Sequence, residues 1–82
     1  MTAIESIKEL TLLLLYLTSW EEKEPITNHK FYRAWKNHDW ETIDKLVEEE
    51  LIYDKHGRKS VNLSDKGVEM AEELIKKYGI AL

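Results

Sequence analysis

The chain has no cysteine, a single proline and only three glycines in 82 residues. Without cysteine there is no disulfide staple, no thiolate zinc site and no thiol nucleophile, and such a composition suits a reducing compartment. Long apolar runs are also missing. The longest useful stretch, Leu12 to Leu17, falls far short of the roughly 20 residues that cross a bilayer. The N-terminus carries Glu5 and Glu9 and lacks a basic segment leading to a small-residue cleavage site, so no signal peptide is expected. The expectation is a cytoplasmic protein without a membrane partner. Positive charge is scarce too: twelve Lys and Arg stand against sixteen Asp and Glu, for a net −4. That sign opposes free-standing nucleic-acid binding, in which phosphate contacts supply much of the affinity.

What is present fits one domain spanning residues 1–82, with 43% apolar residues, three Trp and four Tyr to fill a small core. A domain of this length has a stability of about 4–12 kcal/mol. Its charge is segregated. Glu41, Asp44, Glu48, Glu49, Glu50 and Asp54 against Lys45 give residues 41–54 a net −5, whereas Lys55, Arg58 and Lys59 give residues 55–59 a net +3.

Along the chain, residues 3–20 read as a helix capped near Thr2, with Ile4, Ile7, Leu10, Leu14 and Leu17 at three- and four-residue steps. A second row, Leu12, Leu13, Leu15, Tyr16 and Trp20, makes its later half apolar nearly all round. Either the helix is central with partners on two sides, or Leu12, Leu15 and Tyr16 form a homodimer patch. Glu21 to Pro25 reads as a charged connection that Pro25 closes. Thr27 or Asn28 can cap a short second helix, in which Phe31, Ala34 and Trp35 face the core while Lys30, Arg33 and Lys36 form a basic edge.

Asp39 is the cap for a third helix over residues 40–50, with Trp40, Ile43, Leu46 and Val47 as its buried stripe. Leu51–Asp54 and Lys59–Leu63 alternate as strands, with Ile52, Val61 and Leu63 inward. Lys55-His56-Gly57-Arg58 is the turn between them, with Gly57 free for a positive φ. Ser64 opens a last helix with Val68, Ala71, Leu74, Ile75 and Tyr78 inward, and Gly79 ends it.

The stretch from Leu46 through Leu51-Ile52, the basic hairpin and Val61-Asn62-Leu63-Ser64-Asp65-Lys66-Gly67 resembles the ending of MarR-like and PadR-like winged-helix regulators. There, a helix ending "L…GLI" precedes a wing, and "V-x-L-T-x-x-G" opens the next helix. Ser64 stands for the usual Thr, and Glu50 for the usual Gly. The resemblance implies an α+β, mostly α, winged helix-turn-helix of order H1-H2-H3-strand-strand-H4 with a two-stranded wing. It also implies double-stranded DNA as partner, with the third helix in the major groove and the wing on phosphates. On that reading Lys30, Arg33, Lys36, Thr42, Lys45, Lys55, His56, Arg58 and Lys59 would contact DNA. The acidic outer face of the third helix (Glu41, Glu48, Glu49) departs from the pattern. The whole chain also resembles a small bacterial family with no assigned function, which shares "TLLLLYLTSWEE", "RAWK" and the "KSVxL" strand.

Catalysis is not expected. His29, His38 and His56 have no metal-ligand spacing, and Glu48-Glu49-Glu50 fan apart on successive helix positions. No Gly-rich phosphate loop is present, and neither a metal nor a cofactor is expected. Two functions of different class follow. One is a dimeric DNA-binding transcriptional regulator holding phosphates. The other is a protein-interaction module on the same scaffold, bound through its acidic helix or its leucine-rich first helix.

Overall fold

The computed structural model describes residues 2–55 and 58–82. Its elements are α1 (Ala3–Leu17), β1 (Trp20–Lys23), β2 (Lys30–Trp35), α2 (Trp40–Glu48), β3 (Ile52–Asp54), β4 (Ser60–Leu63) and α3 (Asp65–Lys77). The four strands form one antiparallel sheet of order β1-β2-β4-β3. This corrects the winged-helix expectation: three helices and a four-stranded sheet in the order α-β-β-α-β-β-α replace four helices and a two-stranded wing. His56 and the turn at Gly57 lie outside the described residues.

The decisive difference is β2. Phe31, Ala34 and Trp35 satisfy helical spacing, but Lys30–Trp35 also alternates, and Phe, Tyr and Trp favour strands. Pairing on both sides settles the competition, because β2 bonds to β1 and to β4. Tyr32 and Ala34 then face the helices, while Phe31, Arg33 and Trp35 face away. No second helix remains to form a helix-turn-helix. The charged connection also becomes structure. Glu21-Glu22-Lys23 belongs to β1, and the Glu24–His29 loop turns the chain back. Glu24 holds that loop by accepting from the amides of Ile26 (3.1 Å) and Thr27 (2.6 Å) and from the Thr27 hydroxyl (2.8 Å). The Thr27 donors hold its carboxyl below the usual carboxylate range. Asn28 takes φ 62°, a region Asn tolerates better than most residues.

Helix α1 is rotated relative to the expectation. Leu12, Leu13 and Leu15 are in the core, and the Tyr16 ring meets Tyr32 edge-on at 5.9 Å. Leu12 and Leu15 are therefore interior residues and Tyr16 is partly buried against them, so the three do not form a surface patch. The three- and four-residue series Ile4, Ile7, Leu10, Leu14, Leu17 is the exposed side. An apolar helix has no orientation in its periodicity alone. Here its charges mark the inward arc: Lys8 pairs with Glu49, and Glu9 accepts from Lys77 Nζ (2.9 Å) and Tyr78 Oη (2.8 Å). Lys77 first and Tyr78 second hold the Glu9 carboxyl below its usual range. These contacts tie α1 to α2 and α3.

Asp39 caps α2, its carboxylate accepting from the Thr42 amide (3.2 Å) and hydroxyl (3.1 Å). Thr42, Ile43 and Leu46 are the buried face of α2, whereas Trp40, expected inside, is 77% exposed at the first helical position. The helix closes with Leu51 N donating to Leu46 O (3.0 Å) and Glu50 N to Val47 O (3.0 Å), with Glu50 at φ 60°. This is the glycine-type closure made without glycine. Glu50→Gly is expected to raise stability by about 1 kcal/mol by removing the left-handed strain. The melting temperature would rise by about 4–8 °C; a thermal unfolding curve with an unchanged or lower midpoint would contradict this.

Ser64 joins the halves of the domain. Its hydroxyl accepts from Gly67 N (2.9 Å) to cap α3 and donates to Glu50 O (2.6 Å), while its amide donates to Leu51 O (3.0 Å). The core lies between the three helices and one side of the sheet, where Leu12, Leu15, Ile43, Leu46, Ile52 and Val61 are fully buried.

Candidate functional site

The strand register decides which side chains share the other side of the sheet. Trp20 lies opposite Arg33, Arg33 opposite Asn62, and Asn62 opposite Tyr53, so one row crosses all four strands. Glu22 and Phe31 form a partial row on one flank, and Trp35 and Ser60 another on the opposite flank. The three helices cover the opposite face, and this one is open: Trp35 is 58% and Tyr53 63% exposed.

The centre of the face is fixed by polar contacts. Arg33 Nε donates to Asn62 Oδ1 at 3.2 Å, and an Arg33 terminal nitrogen lies 3.3 Å from Glu22 Oε2. The same Glu22 oxygen accepts from Trp20 Nε1 at 2.6 Å. The Arg33 guanidinium also lies 5.5 Å from the Phe31 ring centroid, within cation–π reach. Trp20 and Trp35 sit with ring centroids 5.1 Å apart at 50°. Trp20, Phe31 and Trp35 thus cluster beside one arginine whose charge is offset by a carboxylate, and these contacts restrain Trp20 and Arg33 before any ligand arrives, with Tyr53 further along the same row. Towards the β3–β4 connection the face runs into a cleft of about 240 Å³ lined by Tyr53, Asp54, Lys55, Arg58, Ser60 and Asn62.

The residues expected to contact DNA do not form one surface. Strand alternation sends Arg33 to the open face and Lys30 to the other side. Lys30 lies 3.5 Å from Glu21, and Lys36 lies 2.8 Å from Asp54 and 5.7 Å from the Trp40 ring centroid. Each member of the expected basic edge therefore has an acidic partner. Thr42 is buried in the α2 cap, and Lys45 lines a separate groove with Ile4, Ile7, Lys8 and Glu41. Lys55, Arg58 and Lys59 are exposed on either side of the β3–β4 connection. Among the described residues no group of three His, Asp or Glu is placed to hold a metal ion, and no helix is long and apolar enough to cross a membrane.

Sequence reasoning missed Trp20, Phe31, Trp35, Tyr53 and Asn62 as a group. The available signal was the alternation Phe31-Arg33-Trp35 read at period two, which the helical reading of the same residues hid.

By fold and face, the molecule is a small two-layer α+β domain with helices on one side of an antiparallel sheet and an uncovered aromatic face on the other. Residues 3–81 match the family described as "Domain of unknown function (DUF6429)", and the chain belongs to that family. It is 36% identical over 74 residues to the uncharacterized protein y4hR of Sinorhizobium fredii (strain NBRC 101917 / NGR234), covering 89% of this chain and 88% of that one. No solved structure matches. The resemblance to a bacterial family without assigned function holds at that level.

Proposed function

We propose that the domain is a non-enzymatic protein-interaction module whose binding surface is the open face of the sheet. The observation that carries this reading is the set Trp20, Trp35, Tyr53 and Arg33 on one uncovered surface, with Trp20 and Arg33 held by Glu22. Trp, Tyr and Arg are the residue types that dominate the binding energy of protein interfaces, and aromatic side chains are enriched at interface centres. The pairing of Arg33 with Glu22 favours a protein over a phosphate backbone, because it leaves the centre of the face without net charge. Among the described residues the face carries no histidine, and Ser60 is its only hydroxyl apart from the Tyr53 phenol.

Trp35→Ala together with Tyr53→Ala is the direct test. Both side chains are exposed, so each change is expected to leave stability within about 0.5 kcal/mol. A photocrosslinker placed at Ser60 in the host cell should trap a protein, and the double variant should lower its recovery by about tenfold or more. Recovery that the double variant leaves unchanged would sink the reading, as would trapping of nucleic acid instead of protein.

Duplex DNA is the second reading. It keeps support from one observation, the exposed Lys55, Arg58 and Lys59 at one end of the open face. A salt titration against mixed-sequence duplex tests it. No binding at low salt ends that reading, whereas binding with a logarithmic salt slope of about −3 would match three phosphate contacts.

A further inference from the structure

We infer that α1 pairs with α1 of a second copy of this chain through its exposed apolar side. This surface lies on the helical layer and does not depend on the reading of the sheet face. Ala3, Ile7, Leu10, Leu14 and Leu17 follow one another at steps of four, three, four and three residues, and all five are exposed. That is the spacing of an a/d seam, which turns one narrow stripe of a helix towards a partner helix over successive turns. The core of the domain does not use the stripe. Leu12, Leu15 and Tyr16, on the opposite side of α1, fill that role. Two independent apolar faces on one helix need two partners, and the domain itself supplies only one.

The chemistry of the stripe favours a second copy over a charged partner. Its flanking positions are Ile4, Ser6, Thr11 and Thr18, and α1's charged side chains Glu5, Lys8 and Glu9 lie towards the inward arc. In a two-fold pair each patch meets itself, so a surface with charge of one sign would repel its mate. Where charged side chains do border it, in the groove beside Ile4 and Ile7, Lys8 and Lys45 balance Asp39 and Glu41, so the surface has no excess of one sign to repel its mate.

The area is also sufficient. Ile4, Ile7, Leu10, Leu14 and Leu17 are 39–60% exposed and present on the order of 450 Å² per chain, in the range of the functional patches of small proteins. Two such patches with their Ala3, Ser6, Thr11 and Thr18 margins approach the roughly 1,200 Å² at which specific interfaces begin. Pairing through the helical layer leaves both sheet faces outward, so the dimer presents two binding faces. A partner with two matching sites would then bind with avidity beyond that of either face alone.

Sedimentation equilibrium of the full chain at about 10–200 µM tests the inference, a range that detects micromolar dimers. The wild-type chain should sediment as a dimer. Leu10→Glu/Leu14→Glu should sediment as a monomer with an unchanged far-ultraviolet circular dichroism spectrum, its dimer weakened by a factor of about 100 or more by buried unpaired carboxylates. Trp35→Ala/Tyr53→Ala should remain a dimer, which separates this surface from the sheet face. A wild-type monomer throughout the range overturns the inference, as does a dimer that survives the glutamate pair. A second measurement stands even if the glutamate variant fails to fold. Leu10 is the midpoint of α1, so any fully overlapping two-fold pair, parallel or antiparallel, brings position 10 against its own mate. Leu10→Cys would be the chain's sole cysteine and should form an intermolecular disulfide under mild oxidation, whereas Glu69→Cys on α3 should not. Crosslinking at position 69 but not at position 10 would overturn the pairing.

Discussion

Gly67→Ala is expected to destabilise the domain by about 3 kcal/mol or more, a large part of the roughly 4–12 kcal/mol available to a chain of this size. The sign opposes the usual one. In a helix interior alanine is favoured over glycine by about 1 kcal/mol, and Gly67 lies in the first turn of α3. What reverses it is a close approach of backbones. A Cβ at position 67 would lie 1.9 Å from Leu51 O, 2.9 Å from Leu51 C and 3.3 Å from Leu51 Cα. None of these atoms belongs to a flexible side chain, so relief requires α3 to back away from the start of β3. That movement would stretch the Ser64 amide bond to Leu51 O (3.0 Å) and the Ser64 hydroxyl bond to Glu50 O (2.6 Å). Chemical denaturation read by tryptophan fluorescence gives the number. A Gly67→Ala variant as stable as wild type would mean that the α3–β3 contact is looser than described.

The second large effect compares two neighbours on α1. Leu15→Ala should cost about 2–5 kcal/mol, because the side chain is wholly buried and the cavity left behind is enclosed by the core. Leu14→Ala should cost about 0.5 kcal/mol or less when measured in dilute solution, where α1 has no partner, since Leu14 is 48% exposed. Urea midpoints of the two variants, recorded at equal and low concentration, decide the orientation of the helix. The reverse order of effects would mean that α1 packs through its other side.

These two predictions also mark where the sequence was and was not sufficient. Local capping chemistry was legible. Thr2, Asp39 and Ser64 each accept from the amide three residues on, as their positions before helical runs suggest. The last two helices and the strands around Ile52 and Val61 were legible for the same reason, since each has one polar and one apolar side. The rest depended on contacts distant in sequence. Lys30–Trp35 is compatible with both helical and strand periodicity, and its bonds to β1 and to β4, the latter some thirty residues on, choose between them. Trp20–Lys23 carries three charges in four residues and becomes a strand by pairing with β2. On α1 both sides are apolar, and the ion pairs Lys8–Glu49 and Glu9–Lys77, which orient it, join residues about forty and seventy apart. The candidate face inherited these losses, because its central strand was the misread one. The basic edge of Lys30, Arg33 and Lys36 existed only under helical spacing; alternation divides it between two faces of the sheet.

The order β1-β2-β4-β3 places β1 and β3 at the margins of the sheet, each with one side unpaired among the described residues. Unpaired strand margins are templates for runaway association between copies. Both are blunted here. β1 is four residues with Glu21, Glu22 and Lys23, and β3 is three residues ending at Asp54, which is engaged by Lys36. Backbone-to-backbone growth in the plane of the sheet is thereby discouraged. What association the molecule makes is thereby left to its side-chain surfaces and not to extension of the sheet.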